Sequence, residues 1–152
     1  LKLKFENQLT TQEINEGATS FILRKMLRSI FLMIGVGAAF ALMNRANVNT
    51  AQSLVPIGIL ILVVVGAHFF LRKNLIAQFS PEKVATFIFE DENLEIINAE
   101  GQKFQYDLSR MKIINSKNVL LLIFTKNSFA IISKKKTGYE NIEEIKNLFK
   151  KK

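Results

Sequence analysis

The chain has 152 residues, of which 49% are apolar, with no cysteine, a single histidine and a net charge of +8. That length holds about one domain, or a small domain plus a membrane element, and the missing cysteine excludes disulfides, thiolate metal sites and a cysteine nucleophile. A positive excess of this size suits nucleic acid, an anionic membrane surface or an acidic partner, and no helix-turn-helix, zinc-knuckle or RNP pattern supports nucleic acid.

Leu1–Phe5 (LKLKF) alternates apolar and basic residues, the pattern of a short strand. Thr10 and Glu13 have the Thr-x-x-Glu spacing of a capping box, so a helix is predicted from about Thr11. Its apolar positions Ile14, Ala18, Phe21, Ile22 and Leu23 form a rough helical stripe, weakened locally by Gly17. This helix is expected to lie along the cytoplasmic membrane surface and to turn into a membrane helix near Arg24–Arg28.

Two apolar runs follow, Ser29–Met43 and Leu54–Leu71, with the polar spacer Asn44–Ser53 between them. A spanning helix needs roughly 20 mainly apolar residues to cross about 30 Å. The second run nearly meets this without a charge, and Pro56 falls in its first turn, where a missing N–H does no harm. The first run reaches the length by extending toward Met26 and Asn47, with Arg28 snorkelling to the headgroups. Neither run alternates with polar residues, and the chain is short for wrapping two all-apolar helices, so a transmembrane hairpin is predicted rather than a buried pair. The first run begins near residue 29, behind a polar segment, which is the wrong layout for a cleavable signal peptide.

Arg24, Lys25 and Arg28 precede the hairpin, Arg72 and Lys73 follow it, and the spacer carries only Arg45. The positive-inside rule then puts both termini in the cytoplasm and 44–53 outside. Gly35 with Ala39, and Gly37 with Ala41, are spaced for close helix packing, within the hairpin or in a homodimer. His68 lies about one turn from Arg72 near the interface, with no carboxylate in either run, which favours an interfacial residue over a proton or ion relay.

From Ser80 the pattern turns to period two. Strands are predicted at Val84–Glu90, Leu94–Asn98, Gln102–Tyr106, Met111–Asn115, Val119–Thr125 and Phe129–Ser133, joined by tight polar turns as a meander. Val119–Thr125 is apolar enough to be central. A second Thr-x-x-Glu pattern, Thr137 to Glu140, opens a C-terminal helix whose Tyr139, Ile142, Ile145, Leu148 and Phe149 share one face. Lys134, Lys135 and Lys136 precede that helix and are candidates for contact with lipid headgroups or an acidic partner, against the plainer reading of a solvated loop. An antiparallel sheet closed by one C-terminal helix is the plan of pleckstrin-homology-like (PH-like) domains. The fold class expected is thus an α+β membrane protein, divided into an N-terminal strand and amphipathic helix (1–28), a hairpin (29–71) and a cytoplasmic β-domain (72–152).

The opening Phe5–Glu13, the two apolar runs, Tyr106–Met111, Leu120–Phe124 and Phe129–Lys136 together resemble the YcxB-like family of small bacterial membrane proteins. The family tends to have Trp where Tyr106 stands and Pro in the segment around Ser133. The resemblance implies a bacterial inner-membrane address and a PH-like cytosolic domain, and little chemistry.

Glu90-Asp91-Glu92 sits in a predicted turn and lacks the spaced Asp/Asn-Gly loop of a calcium site. No phosphate-binding glycine loop, nucleophile elbow or zinc-protease motif occurs. Neither an enzyme nor a cofactor is expected. The function expected is a membrane-anchored binding module, in its sharper form an immunity protein against a membrane-acting toxin. The alternative is an accessory subunit of a transport or envelope complex. The lipid bilayer and a protein partner, or a second copy, are the partners expected.

Overall fold

The computed structural model describes residues 2–43 and 50–150, with side chains for 2–39 and 55–150. Arg45, with the rest of 44–49, and the Ala41 side chain therefore lie outside the described residues, whereas 50–53, expected in the spacer loop, are the first turn of the second long helix. The fold is α+β: two long helices, antiparallel sheets and a C-terminal helix. The elements are β1 (Lys2–Gln8), α1 (Thr11–Met43), α2 (Thr50–Gln78), β2 (Val84–Glu90), β3 (Asn93–Ile97), β4 (Lys103–Asp107), β5 (Lys112–Asn115), β6 (Val119–Ile123), β7 (Phe129–Ser133), a short α3 (Lys134–Thr137) and α4 (Tyr139–Lys150). The six strands predicted after Ser80 all form, Val84–Glu90 and Phe129–Ser133 as predicted and the other four with ends shifted by one or two residues.

Two compact units result, Leu1–Ala18 with Ile76–Lys152, and Thr19–Leu75. The first is a β-domain made from both ends of the sequence. Its four-stranded sheet runs β1-β2-β3-β4 and its three-stranded sheet β5-β6-β7; β2-β3-β4 and β5-β6-β7 are meanders, and β1 joins β2 across the two long helices. β1 pairs with β2 along its whole length, from Lys2 opposite Glu90 to Gln8 opposite Val84. The opening segment expected to stand apart as 1–28 is therefore split. The strand and the first turns of α1 complete the β-domain, and Ile14 and Ala18 are buried rather than laid on a membrane surface.

Alternation explains the sheet. Leu3, Phe5 and Asn7 of β1 and Ala85, Phe87 and Phe89 of β2 share the inner face, while Lys2, Lys4 and Glu6 face solvent. Phe5 stacks on Phe87 at 5.6 Å and on Phe89 at 6.2 Å. Phe87, Phe89 and Leu94 meet Leu120, Leu122 and Ile132 from the second sheet, and Ile142 and Ile145 of α4 cover the same core. β6 is buried at Val119–Leu122 and lies between β5 and β7, the central place its composition predicted.

The two Thr-x-x-Glu patterns have different fates. At the start of α1 the box forms: Thr10 N–H donates to Glu13 Oε2 (2.8 Å), and Glu13 N–H donates to Thr10 Oγ1 (3.2 Å). Thr137, by contrast, ends α3, and its buried hydroxyl has no hydrogen-bond partner among the described residues. Gly138 follows at φ +86°, a conformation that favours glycine, and α4 starts after it.

Candidate functional site

Polar groups concentrate in two places. The first is a bracket inside the β-domain. Asn7, 4% exposed, donates from Nδ2 to the Ile131 carbonyl (2.8 Å) and accepts at Oδ1 from Ser133 N–H (2.9 Å). Glu13, 7% exposed, accepts from Ser133 Oγ (2.5 Å) with one oxygen and from Thr10 with the other. One turn on, Glu16 accepts from Ser116 Oγ (2.6 Å), Asn118 N–H (2.9 Å) and Asn118 Nδ2 (2.7 Å). Burial pushes the Glu16 carboxyl up, but these hydrogen bonds and the nearby Lys134 charge outweigh it and leave the group below its ordinary value. Glu13 Oε2 caps α1 and the other three carboxylate oxygens tie α1 to the second sheet and its β5–β6 turn, so the bracket is structural. Asn7, Glu16, Ser116, Asn118 and Ser133 carried no signal in the sequence, whereas Thr10 and Glu13 did, through the capping box.

Lys134 belongs to the same bracket. Its ammonium donates to the carbonyls of Ser116 and Lys117, and desolvation, with Lys146 nearby, lowers its affinity for a proton. It is thus half-buried and held by the β-domain, whereas Lys135 and Lys136 are exposed. Of the three lysines, Lys134 is thus engaged by backbone carbonyls of the β-domain.

The second concentration is in Thr19–Leu75. As α1 runs from Thr19 to Gly37, its neighbours on α2 run back from Arg72 to Ile57. Arg72 Nε donates to Thr19 Oγ1 (2.9 Å), and a Cβ on Gly37 would lie 2.6 Å from Ile57 Cδ1. The helices are therefore an antiparallel pair. Met26, Ile30, Met33 and Gly37 on α1, and Ile57, Ile61, Val64, His68 and Arg72 on α2, are the half-buried residues at helical spacing that form its seam.

The predicted packing residues divide across this seam. Gly37 is in it. Gly35 has nothing within 4 Å of where a Cβ would stand, and Ala39 is exposed. His68 is in the seam and its Nδ1 lies 2.7 Å from the Val64 carbonyl. A carbonyl only accepts, so Nδ1 carries the proton in this contact. Arg72 is half-buried. Lys25 is half-buried with its ammonium 5.9 Å from the Phe21 ring centre, and Arg24, Arg28 and Lys73 are exposed. Every acidic residue of the chain lies outside 19–75, so Arg24, Lys25, Arg28, Arg45, Arg72 and Lys73 meet no carboxylate within that stretch.

α2 holds a segment, Val55–Gln78, of 24 residues that is long and apolar enough to cross a membrane, and none of its apolar window is buried. It is the one such segment among the described residues.

Among the described residues no three side chains of metal-binding type converge. Glu90 of the acidic turn is paired with Lys2 at 3.1 Å. A cleft of about 210 Å³ opens where the chain leaves and re-enters the β-domain, lined by Leu9, Phe79, Phe87 and Phe129 with the Lys83–Glu100 ion pair beside them. It is smaller than the roughly 300 Å³ at which ordinary ligand sites begin. No family model, curated protein or solved structure matches the chain, so its reading rests on this geometry.

Proposed function

We propose that the protein is a membrane-anchored binding module of the bacterial inner membrane. The helix pair crosses the bilayer as a hairpin, 44–53 is outside, and a PH-like β-domain in the cytoplasm engages a protein partner. The architecture, two antiparallel sheets closed by α4, supports the PH-like plan.

The observation that carries the reading is the pairing of β1 with β2 around an unburied apolar helix. Residues hydrogen-bonded in one sheet are on one side of any membrane. A chain that leaves the domain after β1 and returns before β2 therefore crosses an even number of times. A crossing by Val55–Gln78 requires a return, and 29–43 on α1 supplies the apolar stretch for it. Basic residues flank both helices at the β-domain end, which gives that side to the cytoplasm.

The chain has no cysteine, so single cysteines can be placed and labelled with a membrane-impermeant thiol reagent. Asn49→Cys is expected to react in spheroplasts, and Lys126→Cys only after permeabilisation. Release of the protein by alkaline carbonate, or equal labelling of both positions in intact spheroplasts, overturns the hairpin. Protection of cells that co-express a membrane-acting toxin is the assay for the immunity form of the reading.

A second reading, an accessory subunit of a membrane complex, is favoured by the open space at Gly35, Gly58 and Gly66, where another helix could approach closely. Mild-detergent co-purification of a larger membrane protein tests it.

A further inference from the structure

The exposed cations of the helix pair are not evenly placed. Arg24, Arg28, Phe31 and Gly35 each stand two residues before a seam residue, Met26, Ile30, Met33 or Gly37. Two residues turn an α-helix by about 200°, so these four share one stripe on the face of α1 turned away from α2. The stripe is basic at its β-domain end and apolar beyond. Phe31 is 72% exposed and Gly35 leaves open space beside it.

The two arginines pose a local electrostatic problem. Like charges four apart on a helix repel. Neither Arg24 nor Arg28 has a hydrogen-bond or ion-pair partner among the described residues, and 19–75 contains no carboxylate to supply one. An anion that touches both guanidiniums relieves the repulsion, and a phosphate is an anion whose geometry arginine forks match.

Resting on the hairpin reading, we propose that this stripe docks one anionic phospholipid of the cytoplasmic leaflet. Its phosphate sits between Arg24 and Arg28, and an acyl chain runs along Phe31 and across Gly35. The order of chemistry along the helix, two cations and then an aromatic and a gap, matches a lipid from headgroup to tail. A soluble phosphate offers nothing for Phe31 and Gly35, and a protein partner of acidic character would have to enter the headgroup layer.

The test uses the full chain reconstituted in bilayers with spin-labelled phosphatidylglycerol or phosphatidylcholine, with the motionally restricted fraction read by electron paramagnetic resonance. The wild type is expected to prefer phosphatidylglycerol by on the order of tenfold at low salt. The Arg24→Gln/Arg28→Gln variant is expected to lose most of that preference. Lys73→Gln, which removes an exposed cation from α2, is expected to keep it. Gly35→Leu is expected to weaken retention of both lipids without changing the salt dependence.

An absent preference in the wild type overturns the proposal. So does a Lys73→Gln loss as large as that of the arginine variant, which would make the cations an undifferentiated collar. Displacement of the labelled lipid by inorganic phosphate at equal concentration overturns the lipid assignment. Extraction of the protein by carbonate overturns the hairpin and the stripe together, whereas firm retention without lipid preference overturns the stripe alone.

Discussion

The side-chain amide of Asn7 meets Ser133 as a neighbouring strand would. Its Oδ1 accepts the Ser133 N–H at 2.9 Å while its Nδ2 donates to the Ile131 carbonyl at 2.8 Å. One side chain on β1 thereby satisfies two backbone groups of β7 and joins the two sheets. Asn7→Ala leaves that donor and that acceptor buried without partners, which costs about 2–4 kcal/mol in total. Asn7→Asp keeps the acceptor but buries a carboxylate against the Ile131 carbonyl, and is expected to cost at least as much as Asn7→Ala at neutral pH. A thermal melt of the detergent-solubilised full chain measures both. An Asn7→Ala midpoint equal to wild type shows that the two backbone groups find other partners.

That contact also marks where sequence reading stops. Strands β2 to β7 follow one another through short turns, so local alternation and turn residues locate them within a residue or two. β1 lies about 75 residues from its partner. Nothing in Lys2–Gln8 names Val84–Glu90, because pairing is decided by which inner faces complete a common core. The same limit hid Lys134. A run of lysines reads as solvated, yet the turn at Ser116–Lys117 brings two carbonyls to one of them. The Thr137–Glu140 spacing misled for a local reason: α3 took up Thr137 before α4 began. The apolar helices were legible because long uninterrupted apolar runs leave few alternatives.

Glu16 makes the link between α1 and the second sheet sensitive to acid. Its folded proton affinity is depressed, so the stability it contributes is present above the unfolded value and is lost as pH falls through the folded one. Unfolding midpoints are expected to decline below about pH 5. Glu16→Gln is less stable than wild type at neutral pH, by about 1.5–3 kcal/mol for charge-assisted bonds. The gap closes as pH falls through the folded value, below which the wild-type carboxyl is protonated too. A gap that stays constant with pH removes Glu16 from the acid response.

Gly17 and Ile131 are coupled by close approach. A Cβ on Gly17 would stand 2.6, 2.9 and 3.2 Å from three side-chain atoms of Ile131, which is 1% exposed. Ala is a better helix former than Gly by about 1 kcal/mol, but overpacking a fixed core side chain costs about 1–3 kcal/mol. Gly17→Ala is therefore expected to destabilise slightly on balance. Ile131→Val alone costs about 0.5–1.5 kcal/mol. In the Gly17→Ala background the Val change removes the nearest clashing atom and is expected to be neutral or favourable. A double-mutant cycle reads this coupling, and strict additivity would mean that the helix shifts freely at this point.

Gly37 and Gly35, two residues apart on α1, separate packing within the hairpin from what its outer face does. At Gly37 only the tip of Ile57 is closer than 3.0 Å to an added Cβ, and a tip can rotate. Gly37→Ala is thus expected to be tolerated, and Gly37→Leu to force the helices apart. At Gly35 no atom lies within 4 Å, so Gly35→Leu leaves the pair intact. Disulfide formation between cysteines placed at Met33 and Ile61, both half-buried seam residues, reports the pair in membranes without any partner or ligand. Oxidation is expected to go to completion in the wild type, in Gly37→Ala and in Gly35→Leu, and to fall several-fold in Gly37→Leu because a disulfide tolerates Cα separations only up to about 7 Å. Equal cross-linking in both leucine variants would place Gly37 outside the seam and remove the antiparallel register on which the stripe of Arg24, Arg28, Phe31 and Gly35 depends.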